Sequence, residues 1–160
     1  MNSECKYSFL EAKAKLEALC AYQERCSYEL EKKLITWKIL QDDRDALLAH
    51  LISNNFLSEE RYAEAYVSGK VNIKKWGRIK IKLELKRRRI SDYSTNKAID
   101  SIDKDLYWSN LIHLTEKKFN SLQKEQDSYK KTTKVYRYLS SKGYETDLLK
   151  DACSEVMKGN

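Results

Sequence analysis

The chemistry-bearing side chains of this chain crowd into one stretch. Between Gly69 and Ile90 lie Lys70, Lys74, Lys75, Arg78, Lys80, Lys82, Lys86, Arg87, Arg88 and Arg89, opposed by a single acid, Glu84. Ammonium and guanidinium groups at this density pair with phosphates or carboxylates. The segment carries +9 and the remainder of the 160-residue chain −2, so the net +7 is local. On a helix, Arg78/Lys82 and Lys82/Lys86 stand one turn apart and repel. A partner supplying the counter-charge explains why the repulsion is kept; a solvated charged helix is the plainer alternative. Trp76, between Lys75 and Gly77, has the face to stack on a base, although a Trp beside a helix start more often walls a core. Arg61 either pairs with Glu60 or reaches a partner.

Other chemistries find little support. No GxxxxGK[ST] loop is present to cradle a nucleotide phosphate. Two histidines, His50 and His113, disfavour enzymes that rely on imidazole. The acids are scattered, as on a solvated helical surface. Cys5, Cys20, Cys26 and Cys153 form no CxxC pair, so neither a zinc site nor a disulfide framework is indicated. Cys20, Cys26 and Cys153 read as small core residues in a reducing, cytoplasmic setting. No cofactor is expected. The N-terminal stretch is charged from Glu4 onward, unlike a signal peptide, and no apolar run approaches the roughly 20 residues that cross a bilayer.

The elements that hold the basic stretch follow from self-comparison. With no Pro and only four Gly, the chain suits helices joined by short polar turns. "KLITWKI" (33–39), "ELKRRRI" (84–90) and "YLSSKGY" (138–144) align so that Leu34, Leu85 and Leu139 share a position, and Ile39, Ile90 and Tyr144 another. Taken alone, Ile79, Ile81, Leu83 and Leu85 alternate as in a strand. Their counterparts break that alternation, whereas the pairs Leu30/Leu34, Ile81/Leu85 and Val135/Leu139 keep helical i, i+4 spacing. Residues 77–88 are therefore a helix, and Ile79 with Leu83 is expected to bury a second face between neighbouring copies.

Three degenerate copies of about 50 residues cover the chain, as in helical repeat proteins. The copies read as 1–54, 55–102 and 103–160. Their helices are expected near 8–22, 27–39 and 42–53; 58–70, 77–88 and 91–101; and 104–122, 127–141 and 144–157. Ser27, Asp42, Ser58 and Ser91 are candidate N-caps, and Gly143 is a left-handed helix terminator. The third helices should bury Leu47/Leu48/Leu51/Ile52, Ala98/Ile99/Ile102 and Leu148/Ala152/Cys153/Val156. Tyr62 and Tyr66 are expected to staple copies together. The fold class is all-α: three tandem three-helix repeats in one elongated, curved array.

The residues Phe56-Leu57, Arg61-Tyr62-Ala63, Tyr66-Val67, Lys74, Gly77, Ile81, Glu84-Leu85 and Ile90 follow in an order and spacing that resemble the central signature of the RecX family. "CAYQERCSYELEKKL" (20–34) and "YLSSKGY" (138–144) also resemble their counterparts. The resemblance implies three three-helix repeats and a regulator that binds in the groove of the RecA–DNA filament. It further implies restraint of RecA's ATPase, strand exchange and co-protease functions. The family pattern has Gly just before the closing Ile, where this chain has Arg89. A helix end there needs a non-Gly residue at positive φ or a different cap.

The expected function is thus binding without catalysis: a cytoplasmic, monomeric regulator of the RecA filament that touches RecA and single- or double-stranded DNA. The ten bases of the Gly69–Ile90 stretch, with Trp76 and Arg61 as further candidates, would form its contact surface. The alternative is a sequence-independent nucleic-acid-binding helical module without a RecA partner. A purely protein-binding scaffold is the third reading, and the concentrated charge argues against it.

Overall fold

The computed structural model describes residues 4–159. Met1–Ser3 and Asn160, which the outermost copy boundaries include, lie outside them. The described residues form α1 (Phe9–Tyr22), α2 (Ser27–Thr36), α3 (Gln41–Ser53), α4 (Glu59–Gly69), α5 (Arg78–Arg87), α6 (Asp92–Asp100), α7 (Lys104–Ser121), α8 (Ser128–Ser141) and α9 (Thr146–Lys158). No strand is present among them.

The recurrent Leu and the apolar residue five positions on are one device used three times. Each second helix ends with a residue at positive φ: Lys38 at 60°, Arg89 at 58° and Gly143 at 96°. The next residue then donates its backbone N–H back to the recurrent leucine: Ile39 to Leu34 at 3.0 Å, Ile90 to Leu85 at 3.1 Å, Tyr144 to Leu139 at 3.3 Å. This is the Schellman closure, in which an orphan carbonyl is satisfied and an apolar side chain folds back onto the last turn. Ile39, Ile90 and Tyr144 are accordingly buried. Arg89 and Lys38 adopt the left-handed conformation without being glycine.

Three separate clusters make the core. Leu16, Leu30, Leu34, Leu47 and Leu51 centre the first. Ala63, Val67, Ile81, Leu85 and Ala98 centre the second, which also takes in Cys26 from the first unit. Leu111, Val135, Leu139, Ala152 and Cys153 centre the third. Burial pushes the Cys153 thiol up to about 11 and raises those of Cys20 and Cys26, so all three stay protonated at neutral pH.

Several expectations need correction. Ile79 and Leu83 are 47% and 54% exposed, so α5 buries one face only, that of Ile81 and Leu85. Ile52 is also exposed, because α3 turns only Leu47 and Leu51 fully inward. Ser27 and Asp42 are not caps: α2 and α3 start after Cys26 and Leu40, with no side-chain cap bond. Ser58 and Ser91 do cap α4 and α6, accepting from the N–H groups of Arg61 and Ser94.

Candidate functional site

The basic stretch is built from three consecutive pieces. Helix α4 runs into one wider, π-helical turn over Lys70–Lys74. The turn is held from inside: the buried Asn110 amide of α7 donates to the Val71 carbonyl at 2.9 Å. Lys75 follows at φ 54° and breaks the helix, and Gly77 leads into α5.

Helix α5 starts without a side-chain cap because the third unit supplies the partners of its first-turn amides. Gly77 N–H donates to the Lys142 carbonyl at 2.7 Å and Ile79 N–H to that of Gly143 at 2.9 Å. These bonds satisfy groups that a helix end otherwise leaves open. They also require close backbone approach, since a Cβ on Gly77 would stand 2.2 Å from the Gly143 carbonyl carbon. Arg78 completes the latch. Its backbone N–H donates to the Tyr107 hydroxyl at 3.0 Å, its guanidinium donates to Glu145 at 2.9 Å, and it lies 3.9 Å from the Tyr107 ring centroid. The Tyr107 hydroxyl donates in turn to Glu145 at 2.6 Å, and burial together with that carboxylate raises its pKa.

The other end of α5 is tied to the first unit. Arg88 donates to Glu84 at 3.1 Å and stands 3.4 Å from Glu29, which also accepts from the Tyr62 hydroxyl at 3.0 Å. Glu84, the one acid of the stretch, also pairs with Arg87 at 2.7 Å. It thus braces the helix end.

The ten bases therefore separate into two classes. Arg78, Arg87 and Arg88 are engaged with carboxylates of the chain. Among the described residues, Lys70, Lys74, Lys75, Lys80, Lys82, Lys86 and Arg89 have no ion-pair partner. Lys74, Lys82, Lys86, Arg87 and Arg89 are exposed. Trp76 is half-buried against the second core, with the Lys70 and Lys80 ammoniums 4.6 and 4.2 Å from its ring. This one side chain thus packs on the core with one part and lies beside two lysines with the other.

Arg61 does not pair with Glu60. Its guanidinium donates to Glu24 at 2.9 Å and to the side chain and carbonyl of Asn55 at 2.8 Å each, fastening the left-handed turn before α4 to the loop after α1. Long-range pairings such as Arg78–Glu145 and Arg61–Glu24 had no signal in the sequence, because nothing in local spacing announces a contact between units. Among the described residues no cluster of three or more His, Cys, Asp or Glu could hold a metal, and no helix is long and apolar enough to cross a membrane.

Comparison with known proteins agrees with this architecture. Residues 58–99 match the model of the second three-helix domain of RecX, and 105–153 that of the third. A regulatory protein RecX from Clostridium botulinum (strain Alaska E43 / Type E3) is 33% identical over 92% of this chain and 74% of its own length. One from Clostridium perfringens (strain 13 / Type A) is 34% identical over 81% of this chain and 59% of its own length. The crystal structure of RecX from Lactobacillus salivarius superposes with a TM-score of 0.81 at 25% identity, covering 94% of this chain and 97% of that one. With two tandem family domains, relatives a third identical along most of its length and the same arrangement of helices, the chain belongs to the RecX family of regulatory proteins.

Proposed function

We propose that this chain binds RecA and its DNA filament and restrains RecA ATPase and strand exchange, with no catalysis of its own. Family membership supports RecA as the partner. The observation that carries the reading to particular residues is the set of seven bases of this stretch that have no ion-pair partner among the described residues, four of which, Lys74, Lys82, Lys86 and Arg89, are exposed. Cations left without acids inside the chain retain their charge for a polyanion or for carboxylates outside it.

The same bases favour the second reading, a nucleic-acid-binding module without RecA, and the two differ in a sedimentation experiment. The chain is spun with RecA-coated and with naked single-stranded DNA at increasing salt. Phosphate contacts alone give a log–log slope of about −0.7 per contact and equal pelleting with both. Filament binding predicts stronger pelleting with RecA present, reduced in Lys74→Ala/Lys82→Ala/Lys86→Ala. Equal pelleting with and without RecA would hand the function to the second reading.

A further inference from the structure

The solvent face of α5 is not simply basic. Ile79, Lys82, Leu83 and Lys86 fall at i, i+3, i+4 and i+7, on one stripe of the helix. Both apolar members are about half exposed, and neither lysine has an ion-pair partner among the described residues. Across a shallow groove stand Thr95 and Asn96 of α6, with Asp92 as its one acid.

The fold does not need these apolar side chains. The equivalent positions are Tyr28 and Lys32 in α2, and Thr133 and Arg137 in α8, and both helices pack the same buried face. The stripe therefore costs the middle unit exposed apolar surface and a repulsive Lys82/Lys86 pair without return inside the chain. Phosphate backbones offer branched aliphatic side chains nothing in exchange. A protein element with apolar side chains one turn apart and flanking carboxylates offers both burial and counter-charge, as when an amphipathic helix lies in a groove.

We propose that the Ile79–Lys82–Leu83–Lys86 stripe, with the α6 wall, docks an acidic amphipathic segment of the protein side of the filament. Contact with nucleic acid is left to the unpaired bases outside the stripe: Lys70, Lys74, Lys75, Lys80 and Arg89. This rests on the filament reading above and divides its surface in two.

The test is fluorescence anisotropy of the labelled chain with cognate RecA assembled on single-stranded DNA, and separately with the naked DNA. Ile79→Ser/Leu83→Ser should weaken filament binding by about 10- to 100-fold and change naked-DNA binding by less than about twofold. Ile79→Val/Leu83→Met should retain filament binding, and thermal melts should show all forms folded. Unchanged filament affinity in the serine variant overturns the proposal, as does a parallel loss on naked DNA. A wild-type dimer that the serine variant dissolves assigns the stripe to a second copy and also overturns it. If the wild type binds naked DNA but gains nothing from RecA, the filament reading itself falls and takes this one with it. Filament binding that survives the serine substitutions removes only the stripe.

Discussion

Arg89 holds a backbone conformation that the equivalent Gly143 adopts freely. A non-glycine residue in the left-handed region costs about 1 kcal/mol or more. Arg89→Gly should therefore raise the melting temperature by about 2–4 °C in a chain of this size. If Arg89 is a contact, the same variant binds the filament less well while melting later, a combination that a purely structural role cannot produce. Glu59 offers a second test at this scale. Burial works against its charged form, but the Ser91 amide and the Ser91 and Ser94 hydroxyls donate to it, and the balance lowers its pKa from 4.5. A carboxyl lowered on folding stabilises above its unfolded pKa and loses that contribution as pH falls through its folded pKa. Between about pH 6 and pH 3 the wild type should therefore lose more melting temperature than Glu59→Gln. Equal acid sensitivity would mean that Glu59 contributes nothing.

The start of α5 is set by backbone contact across units, and its weak points follow. Gly77→Ala would place a Cβ 2.2 Å from the Gly143 backbone, where no flexible side chain can yield. Loss of the two amide bonds to Lys142 and Gly143 should accompany it, visible as faster amide exchange at residues 77–79. Tyr107→Phe leaves the Arg78 amide without its acceptor and should cost about 1–3 kcal/mol in chemical denaturation. Much of this architecture was legible in the sequence. The Leu34/Leu85/Leu139 register marked the second helices, and the residue five positions on turned out to be their Schellman closure. Apolar character at Ile79 and Leu83 does not bring burial, because the face that packs, that of Ile81 and Leu85, is chosen by α4 and α6 of the same unit. The π turn over Lys70–Lys74 was illegible because Asn110, about 40 positions away, stabilises it. The basic stretch was visible as charge, and the Glu84 pairs with Arg87 and Arg88 lie at helical i, i+3 and i, i+4 spacing; the engagement of Arg78 by Glu145 and of Arg88 by Glu29 was not visible, since those acids meet their partners only in three dimensions.

At the scale of the whole molecule, each three-helix unit has its own core, and α5 is fastened at both ends: to the third unit through Gly77, Arg78 and Tyr107, and to the first through Arg88 and Glu29. The middle unit thus presents its charged helix on a fixed backbone, so any partner would have to order the exposed side chains but not the helix itself. The most direct test of the regulatory account is DNA-dependent ATP hydrolysis by the cognate RecA on single-stranded DNA as this protein is titrated in. The account predicts suppression well below one copy per RecA subunit, relieved by Lys74→Ala/Lys82→Ala/Lys86→Ala. No suppression at any ratio, or suppression only once free DNA is saturated with this protein, would contradict it.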